Sequence, residues 1–338
     1  MNRNERAWKD RLPGLILDAG RNALHGRTFI KSERRLPLSF YRPDMYLRGY
    51  HSVRAWMYPD WPSRHKGYIT DFDYLRTVRF LNPREVQRAF VDKNVTAERL
   101  KAGGLGEFLP KTLGQIVDGD IRMATVRTTG PVALKRADGH GGHGFEICES
   151  FEGAIRNCPP EGSFIVQEKV EPHSYGRDIY PASLNTLRVL IIRPRPGARP
   201  LAATATHRFG TSNSGAVDGF SAGGLISRVA LDHGTLSPGL SLPTERKRIM
   251  HTLHPDTGTR IADREVPHFG DAIALAVSAM ACFPSAAYVG WDIAISRGGP
   301  IIMEGNGGNP SVGTLQAHGP FASSGPVRDY YRSVGLLP

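Results

Sequence analysis

Two carboxylates and an amide near the end of the chain could hold a hard cation. They lie in Tyr288-Val-Gly-Trp-Asp292-Ile-Ala-Ile-Ser-Arg-Gly-Gly-Pro-Ile-Ile-Met-Glu304-Gly-Asn306, where two apolar runs flank Arg297-Gly298-Gly299. A three-residue hairpin loop needs a left-handed residue, which glycine supplies without steric cost. With those three residues as the loop, Ser296 faces Pro300. Counting outward in antiparallel register places Asp292 opposite Glu304, side chains on one face and Cβ atoms about 5 Å apart. Asn306, two residues further along, shares that face. Two acids so close repel unless a proton or a cation sits between them. The all-oxygen set Asp292, Glu304 and Asn306 suits Mg²⁺ or Mn²⁺ better than Zn²⁺.

A second group of residues could bind phosphate. Val132-Ala-Leu-Lys135-Arg-Ala-Asp-Gly139-His-Gly141-Gly142-His-Gly144-Phe-Glu-Ile-Cys148 reads as strand, glycine-rich loop and strand, with four glycines in six residues. Backbone N–H groups on such a loop can wrap phosphate oxygens because no Cβ blocks the approach, and Lys135 adds a fixed positive charge. No Gly-Lys-Ser/Thr follows and a strand rather than a helix comes next, so neither a Walker A loop nor a dinucleotide fingerprint fits. Phe164-Ile-Val-Gln167-Glu168-Lys169-Val170-Glu171-Pro172 is an apolar strand that turns polar and stops at proline. Such a segment can offer backbone groups and an acid to an adenine and its ribose.

Short elements must position these groups. Strands are expected at 132–135, 145–148, 164–170, 186–192, 202–209, 288–296 and 300–304. Helices are expected at 73–81, at 83–90 with Asn82 as N-cap and Pro83 in the first position, from about 94 to 100 stopped by Gly103-Gly104, and at 271–283. The last of these, apolar nearly all round, reads as a buried helix. Strands arrive as hairpins from about residue 125 onward, so the class is α+β rather than a doubly wound parallel sheet. Residues 1–90 are rich in Arg and aromatics and broken by prolines.

In chain order the features are Lys93, Lys135 before a glycine loop, the Gln-Glu-Lys-Val hinge, an Arg-bearing strand, and Asp-x11-Glu-x-Asn. This series resembles the ATP-grasp superfamily. Ser183-Leu-Asn-Thr-Leu-Arg188-Val, His207-Arg-Phe-Gly, Val217-Asp-Gly-Phe-Ser-Ala-Gly-Gly224, His254-Pro-Asp-Thr-Gly258 and Gly290-Trp-Asp-Ile-Ala294 are similar to its sugar-transfer-associated family, over about residues 80–315. The resemblance implies two α+β subdomains whose antiparallel sheets clamp ATP, with the glycine hairpin as a lid. It divides the chain into an N-terminal extension (1–80), a part containing the lid subdomain (81–172) and a metal-binding subdomain (173–338).

By the same resemblance Lys93, Lys135 and the loop glycines Gly139, Gly141, Gly142 and Gly144 contact phosphates. Gln167, Glu168, Lys169 and Val170 line the adenine pocket, and Glu171 reaches the ribose. Asp292, Glu304 and Asn306 hold magnesium. Arg188 takes the γ-phosphate or acyl phosphate. Strands 186–192 and 202–209, paired about the 194–200 turn, would let Arg188 and Arg208 flank one anion. Asp218-Gly219 departs from the Asp-Asn usual in relatives, which bears on the second substrate and not on ATP.

The implied reaction activates a carboxylate as an acyl phosphate and couples it to an amine, with ADP and phosphate released. Arg188, Arg208 and Lys135 are its catalytic candidates, and ATP and Mg²⁺ its cofactors. A kinase-like phosphotransferase and a non-catalytic nucleotide-binding protein are the alternatives. The expected partners are small-molecule or peptide carboxylates and amines.

Composition agrees with a folded chain. At 338 residues, 40% hydrophobic and 22% charged, disordered, fibrous and coiled-coil classes are excluded. Cys148, Cys158 and Cys282 are too few and scattered for a disulfide framework, and no apolar run is long enough to span a bilayer. A reduced, cytoplasmic protein is expected. The net charge of +11 rests on 34 Arg and 9 Lys, without a basic run or recognition helix for nucleic acid. No nucleic-acid partner is expected.

Overall fold

The computed structural model describes residues 33–34, 36–59, 67–124, 129–139 and 144–337. Two antiparallel sheets organise the chain. The smaller has five strands in the order β2-β1-β5-β3-β4: β1 (Thr112–Val117), β2 (Asp120–Ala124), β3 (Val132–Arg136), β4 (Phe145–Cys148) and β5 (Ser163–Glu168). The larger has seven in the order β10-β9-β8-β7-β6-β11-β12: β6 (Thr186–Ile192), β7 (Leu201–Phe209), β8 (Leu225–Val229), β9 (Gly239–Leu240), β10 (Met250–His251), β11 (Tyr288–Ser296) and β12 (Gly299–Asn306). This is the α+β architecture that the hairpin pattern predicts.

The small sheet closes on the helix Phe151–Asn157, with Leu113, Val132, Phe151, Phe164 and Val166 in its core. The large sheet is covered on both faces, and every residue of β6 is buried. One face packs on the helix Phe269–Ala281 together with Phe90, Phe283 and Trp291, and the other on the C-terminal helix Gly325–Ser333 through Tyr330 and Tyr331. Glycine permits the helix Arg84–Val91 to approach β12, because a Cβ at Gly305 would lie 2.6 Å from the Phe90 ring.

Several elements differ from expectation. Among the described residues, strands begin at Thr112 rather than about 125: the turn Asp118-Gly119, with φ of 49° and 82°, joins β1 to an exposed edge strand. Those angles are what a two-residue hairpin asks of its central residues. The stretch 73–81 forms the helix Asp71–Arg76, capped by Thr70 Oγ1 on Asp73 N at 2.8 Å, and then a separate 3-10 turn, Val78–Phe80. The helix Phe269–Ala281 starts earlier than expected and leaves Asp271, Ala274 and Ser278 exposed, so only one face is buried.

Asn82 does not cap a helix; Pro83 stands at the N-cap, and Arg84 begins the helix Arg84–Val91. The Asn82 amide is buried and donates to Tyr288 O at 2.8 Å and Gly307 O at 2.7 Å, while its oxygen accepts from Ala287 N at 2.7 Å and Tyr288 N at 3.3 Å. One side chain thus ties the start of β11 to the residue after β12. Asn82→Ala would strand these backbone groups, at about 1–3 kcal/mol per buried group left unsatisfied. The expected loss is about 3 kcal/mol in denaturant unfolding, and an unchanged midpoint would contradict it.

Candidate functional site

The β11–β12 hairpin reaches the anticipated pairing by another route. Its loop has two residues, Arg297 and Gly298, with Ser296 opposite Gly299 and Ile293 opposite Ile302. Continued unchanged, that register would misalign the acids by one residue. A β-bulge between Asp292 and Ile293 absorbs Met303 and restores Asp292 opposite Glu304. Because a bulge turns consecutive side chains toward one side, Met303 and Glu304 both line the cavity beside the hairpin.

That cavity, about 220 Å³, lies between the two sheets. Lys135, Gly139 and Gly144 reach it from the small sheet and its loop; Arg188, Arg208, Asp218, Asp292, Glu304 and Asn306 reach it from the large one. Lys93, the first residue of the helix Lys93–Ala102, stands between them. Its Nζ donates to Gly139 O at 2.5 Å and lies 3.7 Å from Glu304 Oε1. Gly141 and Gly142 lie outside the described residues.

Strands β6 and β7 pair as expected, and the anion that their arginines flank belongs to the protein. Arg188 is the cross-strand neighbour of Asp292. Its Nε donates to Asp292 Oδ1 and its Nη2 to Oδ2 at 2.9 Å, while Arg208 Nη2 reaches Oδ2 at 3.0 Å. Burial pushes the Asp292 carboxyl up, but the two guanidinium groups outweigh it and hold the carboxyl below the ordinary range. The cations next to the acid pair are therefore side chains.

Arg208 is itself oriented. Its Nη2 also donates to Thr186 Oγ1, and its Nε is buried without a hydrogen bond, 3.6 Å from Asp218 Oδ1. Asp218 Oδ2 accepts from Thr186 N at 2.7 Å and Thr186 Oγ1 at 2.6 Å. Burial works against the charge on Arg208, and Asp218 and Asp292 more than restore it. Thr186 is not among the expected site residues, and Asp218 enters there only through the Asp-Gly departure that bears on the second substrate. The signal for Thr186 was its place two residues before Arg188, on the same face of the strand.

Asp292 retains room for one more partner. An ionised carboxylate offers about four lone-pair sites; Oδ2 has two guanidinium donors and Oδ1 one. Asn306 donates its Nδ2 to Gly290 O at 3.3 Å, which leaves its amide oxygen available. Among the described residues, no three His, Cys, Asp or Glu side chains gather as a metal cluster. The oxygens of Glu304 and Asn306 and the remaining site on Asp292 nevertheless match the donor chemistry of a hard divalent cation.

Beside the main cavity a smaller one, about 50 Å³, is lined by Leu100, Ile165, Gln167, Ile302 and Met303 and shares Lys93 and Glu304 with it. Gln167 therefore lines a cavity that adjoins the main one. Glu168, Lys169, Val170 and Glu171 line neither cavity. Strand β5 ends at Glu168, which pairs with Lys111 at 3.3 Å, and Lys169 pairs with Glu171 at 3.1 Å, both in solvent.

The model of the sugar-transfer associated ATP-grasp family matches residues 159–320, a stretch holding Arg188, Arg208, Asp218, Asp292, Glu304 and Asn306. Over that stretch the chain is similar to this family. No curated protein matches it. Solved structures similar to it include N5-carboxyaminoimidazole ribonucleotide synthetase from Thermotoga maritima, at 13% identity and TM-score 0.44, over 79% of this chain and 57% of that one. L-amino acid ligase from Bacillus licheniformis matches at 10% identity and TM-score 0.41, over 68% and 43%. D-alanine–D-alanine ligase from Bacillus anthracis matches at 12% identity and TM-score 0.39, over 74% and 66%. The chain spans about half the length of the first two.

Burial lowers the Lys135 ammonium to about 8; Glu304 pushes it up and Lys93 pushes it down. The charge is full below that value and lost as pH rises through it. Pyrophosphate affinity should therefore fall between pH 7 and 9 in calorimetric titrations. Lys135→Met should bind about tenfold more weakly at pH 7, the scale of one charged hydrogen bond, and should lack that step. The same pH slope in wild type and variant would refute the assignment.

Proposed function

We propose that the chain is an ATP- and Mg²⁺-dependent ligase that activates a carboxylate as its acyl phosphate and joins it to an amine, releasing ADP and phosphate. The observation that carries this reading is one cavity in which Lys93, Lys135, Arg188 and Arg208 face Asp218, Asp292 and Glu304. Arg136 also lines the cavity but pairs with Asp138 at 2.7 Å; the other four cations against three carboxylates leave an excess suited to a polyphosphate, while the acids and Asn306 supply oxygen donors for a hard cation.

In this reading Lys93, Lys135 and the glycine loop bind the phosphates, and the small cavity beside Gln167 and Met303 takes the adenine. Glu304, Asn306 and Asp292 would hold Mg²⁺, which would offset negative charge on the phosphates. The carboxylate oxygen attacks the γ-phosphorus, the bond to the β,γ-bridging oxygen breaks, and ADP leaves. Arg208, whose buried Nε lacks a hydrogen bond, would offset charge on the transferring group. The amine nitrogen then attacks the acyl carbon, phosphate leaves, and the amine gives up a proton. Catalysis is positioning and electrostatics, so no nucleophilic side chain is required. The parts at 81–172 and 173–338 would act as lid and metal-binding subdomains.

Asp292→Ala and Glu304→Ala should each abolish Mg²⁺-dependent ADP release, read by a coupled assay over panels of carboxylates and amines. Product analysis separates the reactions: an amide with ADP and phosphate supports ligation, whereas a stable phosphorylated acceptor indicates phosphotransfer. Full turnover in either variant would overturn the metal-site assignment.

A further inference from the structure

We propose that the segment around Leu38 and Leu47 docks peripherally on an anionic lipid bilayer. Residues 1–90 hold 18 Lys and Arg against 9 Asp and Glu, a net of +9, whereas residues 91–338 hold 25 against 23, a net of +2. The central cavity takes none of its described lining from residues 1–90. Most of the positive charge therefore has no part in the site described above.

The segment has an anchored side and an outward side. The 3-10 turn Leu38–Phe40 and the helix Pro43–Leu47 are fixed by Phe40, Met45 and Tyr50, and the last two belong to a core with Met57, Tyr58 and Tyr68. Leu38 is 88% exposed and Leu47 85%, with Tyr41 at 38% and Tyr46 at 46%. A lone exposed leucine is ordinary. Two leucines and two tyrosines within ten residues are a concentration of apolar surface that marks an interaction site.

The nearby charges give that surface its sign. Glu33 is buried and accepts from Ser52 N at 3.0 Å and Ser52 Oγ at 2.5 Å. Asp44 accepts two bonds of 2.8 Å from Arg42. Arg34 and Arg48 are exposed, and their side chains make no hydrogen bond or ion pair among the described residues. The segment thus presents uncompensated cations beside exposed leucines and tyrosines. An anionic bilayer answers both, because headgroup phosphates take the arginines while the acyl boundary takes the leucines. Nucleic acid would match the arginines and leave the leucines in water. Among the described residues no helix is long and apolar enough to cross a membrane.

The full chain should sediment with phosphatidylcholine vesicles containing phosphatidylglycerol and remain in solution with phosphatidylcholine alone. Leu38→Gln with Leu47→Gln should cut partitioning about tenfold or more, each single change should cut it severalfold, and Arg34→Gln with Arg48→Gln should cut it about fivefold per arginine. Melting temperature and pyrophosphate binding should stay at wild-type values in all of them. Failure to sediment, equal sedimentation with both vesicle types, or undiminished sedimentation of the leucine variants would each overturn the proposal. The last result would reassign the arginines to a soluble polyanion such as nucleic acid.

Discussion

The site is organised around one buried carboxylate. Asp292 sits in the large sheet with Arg188 as its cross-strand neighbour and Arg208 arriving from the strand beyond. Removing three charges from water is costly, and such a cluster persists only where geometry lets each charge answer another. That geometry comes from register. A slip of one residue between β6 and β11 would turn either Arg188 or Asp292 into the apolar core on the opposite face, where Leu187, Val189 and Trp291 lie. The β11–β12 bulge, the Asn82 clamp and the Thr186–Asp218 contacts all keep this cluster in register.

The cluster also gives the cavity its electrostatic character. Asp292 and Asp218 together cancel most of the charge on Arg188 and Arg208, but Arg208 keeps a buried N–H without an acceptor. Across the cavity Lys93 bridges Gly139 of the small sheet's loop and Glu304 of the large sheet. Each sheet thus contributes cations to one volume. A ligand with several negative oxygens would satisfy donors on both, which couples its binding to the spacing between the sheets.

Much of this was legible in the sequence because strand period and hairpin counting are local. The ranges of β4, β6 and β11 match expectation, and so does the facing of Asp292 and Glu304. Yet that facing was reached through a three-residue loop, whereas the molecule combines a two-residue loop with a bulge. A bulge depends on tertiary packing and has no reliable mark in a single strand. Strand β2 lies outside the expected set although Asp120-Ile121-Arg122-Met123 alternates polar with apolar residues and Asp118-Gly119 offers a turn signal; as an edge strand it leaves all its side chains exposed. Asn-Pro commonly opens a helix, which makes Asn82 look like a cap in the sequence; its side-chain partners lie more than 200 residues away. The acids after Gln167 face solvent, since β5 ends where the chain turns to bridge Pro172 to Ser296.

The central claim is that the charges gathered on Asp292, Glu304 and the four cations form one nucleotide–metal site. Titration calorimetry of ADP in the presence and absence of Mg²⁺ tests this most directly. The account predicts a single site per chain, with affinity at least about tenfold weaker once Mg²⁺ is chelated, the scale of one lost charge contact. A chain that binds no ADP, or binds it equally without Mg²⁺, would contradict it.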